Sequence, residues 1–305
     1  MTDAALQSVS AAVYGAPPPA LAAPAAGAAQ VSPLSPGAAS LEDMADGCLD
    51  SLVMLAPPGT VERRYALAQA LRVLKVGGRL TALAPKDKGG SRLGKELEAF
   101  GCSVGETAKR HHRICTVAHA PVPVGLEAAI RDGGPQQLGE LWTQPGVFSW
   151  DRMDPGTALL LETLPTLAGV GADFGCGVGL LALKVLADPG VRRLVLIEVD
   201  RRAIEAAKRN VTDPRAEIRW TDVRQAGLEG LDFVVMNPPF HDGGAEDKAL
   251  GQGFIRAARA SLRKGGVLWL VANRHLPYEA VLTEAFARVT AHADRGGFKV
   301  LEARA

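Results

Sequence analysis

Ala172-Asp173-Phe174-Gly175-Cys176-Gly177-Val178-Gly179 follows an apolar run and opens a second run of helical period. Glycines at every second position after a buried strand let the chain turn sharply and let its backbone approach a ligand at the carboxyl end of a sheet. Leu180 stands where a dinucleotide fingerprint would need a third glycine or alanine, so the loop departs from that pattern. Nineteen residues past Gly179 the next apolar run ends in Ile197-Glu198-Val199-Asp200. A carboxylate there can accept hydrogen bonds from both hydroxyls of a ribose, and Glu198 is assigned that role. Asp200 reads instead as the N-cap of the helix beginning near Arg202. Trp220-Thr221-Asp222-Val223 ends the following run, placing Asp222 to accept from an adenine amino group, with the Val223 N–H as a ring-nitrogen donor.

Working outward, the stretch from Thr157 alternates a helix, a strand ending at Phe174, a helix from Gly179, strand 194–197, helix 202–210 and a strand around Ile218. Strands alternating with helices imply an α/β fold with a parallel, doubly wound sheet. Upstream, strand 50–55, helix 61–74, strand 79–84, helix 91–100 and strand 113–118 precede a run marked by Pro121, Pro123, Gly133, Gly134 and Pro135. Three regions follow: 1–125, a linker with a pocket loop over 126–153, and 154–305. Asp50-Ser51-Leu52-Val53-Met54-Leu55-Ala56-Pro57-Pro58, a helix and Lys75-Val76-Gly77-Gly78 echo Asp232-Phe233-Val234-Val235-Met236-Asn237-Pro238-Pro239, a helix and Arg263-Lys264-Gly265-Gly266. This points to duplication of one α/β unit. The first copy lacks both the Asn before its prolines and a Gly-x-Gly loop, so it is expected to bind no nucleotide-like cofactor.

Asn237-Pro238-Pro239-Phe240 follows a buried strand and is stiffened by two fixed φ angles. An exocyclic base amine is a poor nucleophile because its lone pair is delocalised into the ring. If the Asn237 side-chain oxygen and the Pro238 carbonyl accept its N–H groups, the nitrogen pyramidalises, a matter of positioning and electrostatics. Phe240 is suited to stack on a base extruded from its helix.

With these residues the chain resembles the class I methyltransferases that modify exocyclic amines through an Asn-Pro-Pro-aromatic motif. More narrowly it resembles the bacterial small-subunit (16S) ribosomal RNA guanine-N2 methyltransferases. The narrower likeness rests on Gln144-Pro145-Gly146-Val147-Phe148-Ser149, Asp154-Pro155-Gly156-Thr157, Phe240-His241-Asp242-Gly243, Val271-Ala272-Asn273 with Leu276-Pro277-Tyr278, and Phe298-Lys299-Val300. The resemblance implies two tandem class I methyltransferase-like (Rossmann-like) domains, the N-terminal one degenerate, and S-adenosylmethionine as cofactor. It implies Asp173, Gly175, Gly177, Gly179, Glu198, Asp222, Val223 and Asn237 around that cofactor, and Asn237, Pro238, Pro239 and Phe240 around the target amine. Phe148 and Asp154 fall on a loop near the pocket. His241 is assigned a structural or RNA-contact role, because a methylated amine sheds its proton without a base. The competing readings are large-subunit guanine-N2 or adenine-N6 methylation, methylation of a protein glutamine, and a non-catalytic ribosome-assembly factor with a relict cofactor site. Intact glycine and Asn-Pro-Pro-Phe loops speak against the last.

Lys and Arg number 34 against 33 Asp and Glu, so no global field draws the chain to nucleic acid. A local excess does: between Val61 and Arg113 there are twelve Lys or Arg against five Asp or Glu. Lys86, Lys88, Arg92, Lys109, Arg110 and Arg113 are the expected RNA phosphate contacts, with ribosomal RNA or the small subunit as partner. Cys48, Cys102, Cys115 and Cys176 fall in no metal-ligand spacing. The expectation is reduced thiols, no metal, no membrane span and a cytoplasmic monomer.

Overall fold

The computed structural model describes residues 9–118, 120–239, 245–276 and 278–305, with the side chains of 245–248 excepted. Phe240 and His241 lie outside the described residues. The chain forms two compact units, one of Met1–Gln136 with Gln144–Gly146, the other of Gln137–Thr143 with Val147–Ala305.

In the first unit, β1 (Ala11–Tyr14), β2 (Ala29–Gln30), β3 (Leu49–Leu55), β4 (Leu74–Pro85), β5 (Gly105–Lys109) and β6 (His112–Val117) form one sheet in the order β2-β1-β3-β4-β6-β5. The stretch from Ala11 to Gln30, rich in alanine and proline, thus supplies two strands that periodicity does not reveal. Helices α1 (Thr60–Val73) and α2 (Ser91–Glu98) bury Leu67, Leu71, Leu93 and Leu97 against Leu52, Met54 and Leu80 of the sheet. The stretch expected as a linker is partly regular. Helix α3 (Leu126–Gly133) ends so close to α1 that a Cβ on Gly133 would lie 2.4 Å from Tyr65 Cβ. The short hairpin of β7 (Gln136–Leu138) and β8 (Leu141–Thr143), which apart from Gln136 belongs to the second unit, comes next.

In the second unit, α4 (Pro155–Thr163), β9 (Gly169–Phe174), α5 (Leu180–Leu186), β10 (Val191–Glu198), α6 (Arg201–Asn210), β11 (Ala216–Trp220) and β12 (Leu231–Met236) are followed by α7 (Ala245–Ser261), β13 (Leu262–Asn273), α8 (Tyr278–Ala285), β14 (Arg288–Arg295) and β15 (Phe298–Arg304). The sheet order is β11-β10-β9-β12-β13-β15-β14, and every strand runs parallel to β9 except β15, which is antiparallel to both β13 and β14. The order turns at β9, whose neighbours β10 and β12 lie on opposite sides, and loops leaving these carboxyl ends border one crevice, where α/β folds bind ligands.

The units repeat one another strand for strand, the first lacking a counterpart of β11. Leu49 pairs with Leu74 and Ser51 with Arg79 across a register shift; Leu231 pairs with Leu262 and Phe233 with Val267 across the same shift. Lys75 binds Asp50 at 2.7 Å, as Arg263 binds Asp232 at 2.7 Å. A Cβ on Gly78 would meet Lys75 O at 2.9 Å, and one on Gly266 would meet Arg263 O at 3.0 Å. In this register Leu55 stands where the second unit has Asn237. Beyond it, Arg63, 1 % exposed, donates from Nη1 to the Pro57 and Pro58 carbonyl oxygens at 3.3 and 2.7 Å, and from Nε and Nη2 to Glu96 at 2.6 and 2.7 Å. The first unit's proline loop is therefore occupied by its own arginine.

Candidate active site

Buried Ala172 and Phe174 fix β9 in the core, and the chain leaves it through Gly175, Gly177 and Gly179 at φ 73, 54 and 94°. These angles favour glycine. Packing also requires Gly179, where a Cβ would sit 2.6 Å from Val211 Cγ2, whereas one on Gly177 would meet nothing within 4 Å. Open space beside a backbone bent in this way leaves room for a ligand to approach.

Glu198, at the end of β10, braces that loop. Its carboxylate accepts the N–H groups of Gly177 at 3.0 Å, Val199 at 2.7 Å and Asp200 at 2.9 Å. Burial pushes its pKa up against the pull of these N–H groups. Asp200 caps α6 by accepting the Arg202 N–H at 3.0 Å and is bound by the Arg202 guanidinium at 2.7 Å. Asp222 accepts the Arg224 N–H at 2.8 Å, and its ion pair with the Arg224 side chain holds its carboxyl below the usual range. It is thus already engaged, while Val223 is buried in the core.

Asp173, fully buried on β9, accepts no hydrogen bond at either oxygen. Burial, and then the charge of Glu198, push its carboxyl up to about 8, while the Ala182 backbone N–H, not in hydrogen-bonding position, pulls weakly the other way. An orphaned carboxyl beneath a glycine loop fits a cofactor that brings a positive charge or N–H donors.

Asn237 begins the loop after β12, with Pro238 buried behind it. Its Nδ2 donates to Asp154 Oδ2 at 2.9 Å and to Thr157 Oγ1 at 2.8 Å, and its Oδ1 is buried without a partner. Asp154, expected on a loop near the pocket, lies against Asn237, and Phe148 is 57 % exposed on the loop before Asp154. Sequence reasoning missed Thr157, and also Asn210, whose Nδ2 donates to the Trp142 and Val178 carbonyl oxygens at 3.0 and 2.9 Å, tying β8 to the glycine loop. A capping Asp three residues before a Thr was the available signal for the first. An Asn ending a helix gave none.

In the first unit Lys86, Lys88, Arg92, Lys109 and Arg110 are exposed. Lys86 N–H donates to His111 O at 2.8 Å, which sets the Lys86–Gly90 turn beside the β5–β6 hairpin tip. Arg110 and His111 hold that tip at φ 47 and 60°. Arg113 is half-buried and paired with Glu106 at 3.4 Å. Among the described residues no cluster of metal-ligating side chains occurs, and no helix is long and apolar enough to cross a membrane.

A sheet that reverses at β9, a glycine loop with a braced carboxylate, and an amide-bearing proline loop define a class I methyltransferase-like domain. The methyltransferase small domain family matches residues 139–302. The chain is 34% identical over 266 residues to the ribosomal RNA small subunit methyltransferase C of Pseudomonas fluorescens, covering 84% of this chain and 79% of that one. The protein of the same name from Erwinia tasmaniensis is 34% identical, with 87% and 78% covered. The chain belongs to the methyltransferase small domain family and, within it, to the ribosomal RNA small subunit methyltransferase C family. Among solved structures, the T. thermophilus 16S rRNA N2 G1207 methyltransferase in complex with AdoMet and guanosine matches with a TM-score of 0.76 at 26% identity, over 90% of this chain and 81% of that one.

Proposed function

We propose that this chain transfers a methyl group from S-adenosylmethionine to the exocyclic N2 amine of a guanine in small-subunit ribosomal RNA. The observation that carries the reading is Asn237, whose amide nitrogen is fully used by Asp154 and Thr157 while its oxygen is a buried acceptor with no partner. Family membership and the likeness to a 16S rRNA N2 methyltransferase support it.

Asp173, Gly175, Gly177, Gly179 and Glu198 would hold the cofactor, with Asp222 and Val223 at the adenine end. S-adenosylmethionine, when bound, supplies an electrophilic methyl group. Asn237 Oδ1 and the Pro238 carbonyl accept the amine's N–H groups, which concentrates the lone pair on nitrogen, and Phe240 stacks on the base. Asn237 Oδ1 is buried, and a low local dielectric strengthens such hydrogen bonds. No side chain serves as a base. The first unit docks RNA through Lys86, Lys88, Arg92, Lys109 and Arg110 and binds no cofactor.

Mass mapping of modified nucleosides in 16S rRNA from a deletion strain tests the activity. The loss of one N2-methylguanosine, restored by the purified chain with S-adenosylmethionine, is expected. An unchanged guanosine map overturns it.

A further inference from the structure

Asn237 is gripped from behind. Both N–H groups of its amide are used, one on Asp154 Oδ2 at 2.9 Å and one on Thr157 Oγ1 at 2.8 Å, while Oδ1 has no partner. An ionised carboxylate only accepts hydrogen bonds, so Asp154 dictates which end of the amide turns toward it; a flipped amide would set oxygen against oxygen. Asp154 is itself immobilised, because the same Oδ2 accepts the Thr157 backbone N–H at 2.7 Å as the N-cap of α4, with Pro155 fixing the first helical turn.

We infer that Asp154 and Thr157 are positioning residues for methyl transfer, which clamp the Asn237 amide so that only its oxygen is presented to the target amine. This rests on the function proposed above. Turned over, Asn237 would offer N–H groups to the amine's own N–H groups, donor to donor. The clamp excludes that state before substrate arrives. It also explains why a buried acceptor stays unpartnered: the amide cannot rotate to satisfy it without breaking two hydrogen bonds.

The alternative is that Asp154 only caps its helix, and three variants of the full chain separate the two roles. Asp154→Ser keeps a capping oxygen but is too short to reach Asn237. Asp154→Asn keeps an acceptor oxygen at full length. Thr157→Val keeps the backbone N–H that the cap uses and removes only Oγ1. Each is assayed for kcat on small ribosomal subunits, for S-adenosylmethionine affinity by calorimetry, and for Tm. Asp154→Ser and Thr157→Val should keep cofactor affinity and lose about ten- to a hundredfold in kcat, the scale of a reacting group displaced by about 1 Å. Asp154→Asn should recover part of the Asp154→Ser loss. Asn237→Asp, which sets a second carboxylate against Asp154, should be more active when combined with Asp154→Asn than alone. Unchanged kcat in both Asp154→Ser and Thr157→Val, with wild type active, overturns the inference. So does a loss in Asp154→Ser that follows its Tm and cofactor affinity while Thr157→Val stays at the wild-type rate. A wild-type chain that methylates no guanine N2 in small subunits overturns the underlying function instead, and is recognised without any variant.

Discussion

Asp173 on β9 and Glu198 on β10 are coupled carboxyls of opposite satisfaction: Glu198 accepts three backbone N–H groups, whereas neither oxygen of Asp173 accepts any. Burial and the Glu198 charge raise the Asp173 carboxyl to about 8, so between the ordinary aspartate value near 4 and that point the folded chain holds a proton the unfolded chain has lost. Stability should therefore fall as pH rises through this window, by no more than one proton's worth of slope. Asp173→Asn should flatten the dependence. Urea unfolding at several pH values checks it, and identical slopes for the two proteins would refute the assignment.

Asn237→Ala should leave S-adenosylmethionine affinity within a few-fold while lowering turnover by about two to three orders of magnitude, the scale of one preorganised polar group. Glu198→Ala should do the reverse and weaken cofactor binding, since it removes both the ribose acceptor and the brace on Gly177. Calorimetry paired with single-turnover rates distinguishes the two. Loss of cofactor binding in Asn237→Ala with the rate preserved would invert the roles.

Salt dependence of binding to ribosomal RNA reports phosphate contacts at about one unit of log-log slope each. Replacing Lys86, Lys88 and Arg92 by Ala, or Lys109 and Arg110, should lower the slope and raise KM while cofactor affinity holds. Arg113→Ala alone should change the slope little, because Glu106 already neutralises that guanidinium. Unchanged slopes in both multiple variants would leave the basic stretch as a solvated surface.

Arg63→Ala strips a carboxylate with 11 % of its side chain exposed, and two proline carbonyls, of their donor at once. Removing one partner of a buried ion pair costs about 3–5 kcal/mol, so the first unit should be destabilised on that scale. Replacing Arg63 and Glu96 together by apolar residues should cost less, which chemical denaturation measures. Equal costs would show that the uncompensated charge is not the source.

The glycine loop, Glu198 and Asn237 were legible because each depends on short-range chemistry at a strand end. The repeat was legible too, through the matching strand, proline and Gly-Gly segments of the two halves. Strand β1 was not, since Ala11-Ala12-Val13-Tyr14 carries no polar alternation and draws its place from pairing with β3. Helix α3 was hidden by the glycines and prolines that flank it. The grip of Asp154 and Thr157 on Asn237 spans about eighty residues of chain, a contact that folding alone creates.

Among the described residues, every buried side-chain nitrogen or oxygen without a partner belongs to the second unit: Thr143, Asp173, Asn237 and Trp269. The first unit, with Arg63 seated in its proline loop, arrives at a complete set of bonds on its own. Saturating S-adenosylmethionine should therefore raise the unfolding temperature of the second unit and leave that of the first unchanged, which calorimetric scans with and without the ligand measure.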